Sequence, residues 1–196
     1  INIPIPGLHN LSNITAAIAA SRMIGVDFLA IKKNIKYLRL PKKRFEFRGQ
    51  IDERHLYDDY AHHPNEIKET IKLGRLFINQ KNNNEFHNNR LIAIFQPHRY
   101  SRVKQFAKEF AEELSKADVV YITSIYAAGE GNVDKISSEI ITDLIYQQNK
   151  NVCYVSNYHE ITKNFYKLTQ KGDLILNMGA GDCHNFWSIL NEKKFE

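Results

Sequence analysis

Four short apolar runs punctuate the second half of the chain: LIAIF at 91–95, VVYIT at 119–123, VCYV at 152–155 and DLILNM at 173–178. Between and after them, apolar residues recur with helical period over 103–115, 137–147, 158–168 and 183–190. Apolar strands alternating with amphipathic helices predict a parallel sheet covered on both faces. Just upstream, 45–51 and 55–59 predict a strand pair around Asp52 and Glu53, although the turn residues there are weak hairpin formers. Pro64 suits the first position of a helix running to about residue 78. Residues 41–196 are therefore expected to form an α/β domain, a Rossmann-like doubly wound and mostly parallel sheet.

The front of the chain has a different pattern. Two prolines keep 1–7 extended, and a helix is predicted from 9 to about 24, with Leu11, Ile14, Ala17, Ile18 and Met23 at helical spacing. Its Ala-rich middle favours close packing against a neighbour. Gly25 ends it, and Asp27 can cap a second short helix to about residue 38. Proline and a basic run coincide near 40–43, which places a domain boundary there and makes 1–40 the helical tail of another domain. The Asn-rich stretch 79–90 has no period and is expected to be a variable, mobile loop.

Composition adds limits. With 43% hydrophobic residues in 196, the chain can bury one proper core. No apolar run reaches bilayer length and the first residues lack a basic start and apolar centre, so a soluble, cytoplasmic protein is expected, with no membrane partner. Two cysteines, Cys153 and Cys183, fit a reducing compartment. The net charge of +5 is concentrated between residues 32 and 48, a run that resembles a solvated face more than a nucleic-acid contact, because it lacks a regular stacking pattern of aromatics. No nucleic-acid partner is expected.

The residues able to do chemistry cluster after the predicted strands, where ligands sit in such folds. They are Asp58-Asp59-Tyr60-Ala61-His62-His63-Pro64, Gln96-Pro97-His98-Arg99-Tyr100-Ser101-Arg102, Tyr126-Ala127-Ala128-Gly129-Glu130 and Gly179-Ala180-Gly181-Asp182. His98, Arg99 and Arg102 combine a titratable ring with two forks for a carboxylate or phosphate. Basic groups at a helix's positive end favour an anionic partner. The GAGD glycines serve either close backbone approach to a ligand or a tight turn. Asp58, Asp59, His62 and His63 match no common zinc spacing, and no metal site is predicted from them. Cys183, beside Asp182, is not expected to be a nucleophile.

Taken in order, these segments resemble the Mur ligase family of cell-wall enzymes. PGLHNLSN at 6–13 is similar to the end of that family's central ATPase domain, Arg44-Phe45-Glu46 to the first motif of its C-terminal domain, and DYAHHP at 59–64 to its DYAHxP signature. Within the family, FQPHRYSR and the YxAGE loop resemble the alanine-adding members more than the murein tripeptide ligases. The resemblance implies an ATP-dependent ligase with ATP, L-alanine and UDP-N-acetylmuramate as partners. It places His9 and Asn13 at the adenine and ribose end of ATP, Asp59 on the ribose hydroxyls and Arg44 by the phosphates. His62, His98, Arg99 and Arg102 would face the incoming amino acid, with Tyr60 lining the pocket. One arginine would hold its carboxylate, and His62 or His98 would take a proton from its amine. The phosphate loop motif GxxxxGK[ST] is not in these residues. Magnesium ligands are accordingly expected in another part of the protein, and this chain alone is expected to be inactive. A free-standing nucleotide- or anion-binding module is the alternative.

Overall fold

The computed structural model describes residues 2–79 and 90–192. The Asn-rich stretch, with His87, falls almost wholly outside them. The chain divides into two compact units, one ending at Lys42 and one beginning at Lys43.

In the first unit, helix α1 (Leu8–Met23) is followed by α2 (Phe28–Asn34) and a 3₁₀ turn, Ile35–Tyr37. The Asp27 side chain caps α2, accepting from the N–H groups of Leu29 and Ala30 at 2.7 and 3.1 Å. Helix α1 buries only Asn10 and Ile14 among its residues. Leu8, Leu11 and Met23 are exposed, so the apolar spacing that predicts the helix does not cover it within this unit.

The second unit is a six-stranded sheet. Its strands are β1 (Glu46–Ile51), β2 (Arg54–Asp59), β3 (Leu91–Phe95), β4 (Val119–Ile122), β5 (Val152–Tyr154) and β6 (Leu174–Met178), in the order β1-β2-β6-β3-β4-β5. β1 is antiparallel to β2, and all other neighbours are parallel. Helices α3 (Pro64–Ile78), α4 (Tyr100–Leu114) and α5 (Glu139–Tyr146) bury Ile67, Ile71, Phe110, Leu114 and Ile145 with Leu91, Ala93, Phe95, Val120 and Leu176. Helices α6 (Tyr158–Lys163), α7 (Phe165–Leu168) and α8 (Asn185–Glu192) bury Ile161, Phe165, Phe186 and Trp187 with Leu56, Ile92, Ile94 and Ile175. Successive residues of β3 and β6 thus feed opposite cores, which is why those strands are apolar throughout.

Three details differ from the sequence expectation. The β1–β2 turn is made by Asp52 and Glu53 with φ of 46° and 63°, positive at both centres as a tight hairpin requires. These non-glycine residues are held there by Lys171 at 3.0 and 2.9 Å and by Arg54, 2.9 Å from Asp52. The expected helix at 158–168 is two helices, because Asn164 leaves helical geometry (φ −106°) and its side chain bonds back to the Glu160 carbonyl at 3.1 Å. Helix α4 starts three residues early, at Tyr100, because Arg99 (φ 70°) turns the chain sharply there. Among the described residues, no helix is long and apolar enough to cross a membrane.

Candidate active site at the carboxyl ends of the strands

β6 lies between β2 and β3, so the strand order reverses beside it. At such a switch point the loops leave in opposite directions and open a crevice. The segments after β2, β3, β4 and β6 meet there. An isolated parallel bridge between His98 and Tyr126 extends the β3–β4 pairing outward. Around it, Arg99 N–H donates to the Tyr126 carbonyl and Tyr126 N–H to the Pro97 carbonyl, both at 2.8 Å.

Asp59, the last residue of β2, is 6% exposed. Its Oδ2 accepts from Phe45 N–H at 2.7 Å and its Oδ1 from Ala61 N–H at 2.8 Å. Burial pushes the carboxyl above its ordinary pKa, opposed by those two N–H groups, Thr70 and Arg44. Tyr60 N–H also donates to the Lys43 carbonyl at 2.7 Å. Lys43 and Phe45 both have positive φ, 58° and 47°, a conformation costing roughly 1–2 kcal/mol for each such residue. Asp59 and Tyr60 therefore clamp a strained loop from both sides, and its middle residue is Arg44. The Arg44 side chain is 47% exposed, lies 3.9 Å from Glu66 and sits 5.9 Å from the Tyr60 ring centroid.

His63 caps α3, and Glu66 closes a reciprocal capping box with it. Glu66 Oε2 accepts from the N–H groups of His62 and His63 at 3.0 and 3.2 Å, and it lies 3.2 Å from His62 Nδ1. That same Nδ1 is 2.9 Å from the Tyr60 carbonyl. The His62 ring meets Tyr60 edge-on at 5.1 Å and His98 at 5.6 Å between centroids.

His98 stacks on Tyr126 with centroids 5.5 Å apart and planes 16° apart. Arg102 Nη1 lies 3.3 Å from His98 Nδ1. Burial holds the His98 ring below its ordinary pKa, assisted by the charges of Arg102, His62 and Arg99 and opposed by Glu130. The first turn of α4 contains no acidic residue. Its counter-charge comes from Glu130, which accepts from Ser101 N–H and Oγ at 3.0 and 2.7 Å and lies 3.8 Å from Arg99. Those bonds hold the Glu130 carboxyl below its usual range.

The GAGD loop supports the same rim. A Cβ on Gly181 would lie 2.5 Å from Tyr126 Cγ and 2.6 Å from Gln96 Oε1. Gln96 itself donates to Asp182 at 2.5 Å, and Asn177 Nδ2 donates to Asp58 at 3.0 Å and to the Cys183 carbonyl at 2.9 Å. The glycines thus let the loop lie directly against the Gln96 and Tyr126 side chains. Cys183 is buried, which pushes its thiol up to about 12. Tyr60, His62, His98, Arg99 and Arg102 form one continuous rim with Arg44. His9 and Asn13 belong to the first unit, where His9 is half-buried over Gly7 and Asn13 is exposed.

The family model described as "Mur ligase, glutamate ligase domain" matches residues 43–181, most of the chain. The chain belongs to the Mur ligase family. A UDP-N-acetylmuramate–L-alanine ligase from Prochlorococcus marinus subsp. pastoris is 66% identical over 98% of this chain and 41% of its own length. The structure of a UDP-N-acetylmuramate–alanine ligase from Thermotoga maritima aligns over 98% of this chain and 39% of that one, with 26% identity and a TM-score of 0.74. A murein peptide ligase from Psychrobacter arcticus matches in fold over 98% of this chain and 38% of its own, with a TM-score of 0.72 at 24% identity. The chain spans about two fifths of the length of the curated relatives it matches.

Four further residues hold this candidate site in place. Glu66 was legible as the fourth residue of a capping box, S/T/D/N-x-x-E in form but with histidine as the cap. Glu130, Gln96 and Tyr126 had no comparable local signal, because their partners lie 28 to 86 residues away in the chain.

Proposed function

We propose that the protein carrying this chain is an ATP-dependent ligase that joins L-alanine to UDP-N-acetylmuramate in the cytoplasm, with Mg²⁺ held by residues outside this chain. Residues 1–40 are read as the end of the central ATP-binding domain and 41–196 as the C-terminal domain. The observation that carries the reading is the rim itself: two ring-packed histidines with Arg99 and Arg102 at a helix N-terminus whose own first turn has no acidic residue, in a chain 66% identical to a relative named for that reaction.

The arrangement suits the chemistry of such a ligase. ATP, when bound, converts the muramate carboxylate into an acyl phosphate, giving the amine a good leaving group to displace. Arg44, half-exposed on its clamped loop, fits a phosphate. Asp59 accepts two backbone bonds and one from the Thr70 side chain, and its remaining acceptor capacity suits a ribose hydroxyl. His9 and Asn13 are assigned to the adenine and ribose side. Arg99 and Arg102 fit an amino-acid carboxylate, Tyr60 lines the pocket, and His62 or His98 handles the amine. Positioning and charge neutralisation carry most of the rate in reactions of this kind.

The test is phosphate release by the whole protein with UDP-N-acetylmuramate, ATP and Mg²⁺. Release dependent on L-alanine supports the reading. Release dependent only on a murein tripeptide would move the protein to the peptide-recycling branch, and release with neither would return the chain to a nucleotide- or anion-binding module.

A further inference from the structure

The two histidines of the rim are set as opposite tautomers by what their Nδ1 atoms meet. Nδ1 of His62 lies 2.9 Å from the Tyr60 carbonyl and 3.2 Å from Glu66 Oε2. A carbonyl has no proton to give, and that Glu66 oxygen already takes the N–H groups of His62 and His63. A nitrogen between two acceptors must carry the proton, so neutral His62 keeps its lone pair on Nε2. His98 is the reverse. Its Nδ1 lies 3.3 Å from Arg102 Nη1, and a guanidinium only donates. The His98 proton therefore sits on Nε2.

The surroundings of each ring agree with its state. Facing His62 are Glu66 from α3, the Tyr60 ring and His98, with Arg44 beyond Glu66. Facing His98 are Arg102 from α4, His62 and the Tyr126 ring, with Arg99 and Glu130 close enough to act on its charge. An imidazolium at 62 has a carboxylate beside it; at 98 it has a guanidinium.

We infer that the two histidines divide the work on the incoming amino acid: His62 Nε2 accepts the proton of its ammonium, and His98 Nε2–H donates to its carboxylate beside Arg102. The inference rests on the ligase reading above. The ammonium gives one proton to His62, and the resulting imidazolium is balanced by Glu66. The freed nitrogen pair forms the C–N bond to the acyl carbon. Collapse of the tetrahedral adduct breaks the bond to the phosphate oxygen, and phosphate leaves with that electron pair and the second amine proton. Glu66 is then a positioning residue, fixing the tautomer of His62 without touching substrate.

Glutamine separates the two roles, because its amide reproduces an Nε2–H donor but cannot serve as a base. In the whole protein, His98→Gln is expected to keep L-alanine-dependent phosphate release within about tenfold of wild type, while His98→Ala raises the KM for L-alanine. His62→Gln is expected to lower kcat by about 100-fold or more. Nitrogen NMR of the histidine-labelled wild-type protein should show Nδ1–H at His62 and Nε2–H at His98. Reversed tautomers, or His62→Gln as active as His98→Gln, would overturn the division of roles. Wild type that shows no L-alanine-dependent release would instead overturn the ligase reading, and the assigned roles would fall with it while the tautomers stood.

Discussion

Gly181→Ala isolates the packing that joins the GAGD loop to the histidine rim. The φ of Gly181 is not in the left-handed region, so the backbone accepts alanine and the effect is steric. The new methyl would sit 2.5 Å from Tyr126 Cγ, 2.8 Å from Tyr126 Cδ2 and 2.6 Å from Gln96 Oε1. Ordinary carbon contacts begin near 3.5 Å, so one side must move by about 1 Å. Gln96 is held by Asp182, and the clashing Tyr126 atoms are at the root of its ring. Overpacking of this size costs about 1–3 kcal/mol, while replacing glycine by alanine returns about 0.4–1 kcal/mol through the unfolded chain. A net loss of about 1–2 kcal/mol is expected. Gly131→Ala is the control: a Cβ there meets nothing within 4 Å and its φ is also unstrained, so it should gain about 0.4–1 kcal/mol. Urea unfolding measures the difference. With a slope of about 1–3 kcal/mol/M, the midpoint for Gly181→Ala should fall below that of Gly131→Ala by about 1 M. Movement of Tyr126 should also shift the His98 ring resonances. Equal midpoints for the two variants, with His98 unmoved, would refute the claim that this glycine is required by close approach.

Two further outcomes are expected. Burial raises the Asp58 carboxyl above its ordinary value of 3.8, so its contribution to stability is complete below about that pH and is lost as pH rises through the raised value. The stability of wild type relative to Asp58→Asn should therefore decline from pH 4 upward in urea titrations, and a flat or rising difference would contradict the assigned burial. In a thiol-reagent assay, exposed Cys153 should react in the native chain, whereas Cys183, buried with its thiol pushed up to about 12, should react only on unfolding; rapid labelling of both would show that the α8 side of the sheet opens.

The local elements are legible in the sequence for a physical reason. Runs such as LIAIF announce strands covered on both faces, because both sets of alternating side chains are buried. Pro64 announces a helix start, because a first-turn residue needs no backbone donor. The candidate residues Tyr60, His62, His98, Arg99 and Arg102 were legible as polar residues directly after strands, since the chain must leave a parallel sheet at those ends. The helix break at Asn164 was not foreseen: the apolar spacing runs through it, and only the side-chain bond to the Glu160 carbonyl shows the stop.

The sequence by itself determined an alternating α/β chain of the Mur ligase family and the residue types at its strand ends. Only the tertiary structure decided that β6 inserts between β2 and β3, bringing the GAGD loop against Gln96 and Tyr126. It also decided that Asp59 clamps the Arg44 loop and that the rings of His62 and His98 meet. Strand identity follows from side-chain burial over a few neighbouring residues. The contacts of Phe45 with Asp59 and of Gly181 with Gln96 and Tyr126 join remote segments, and no spacing along the chain encodes those distances.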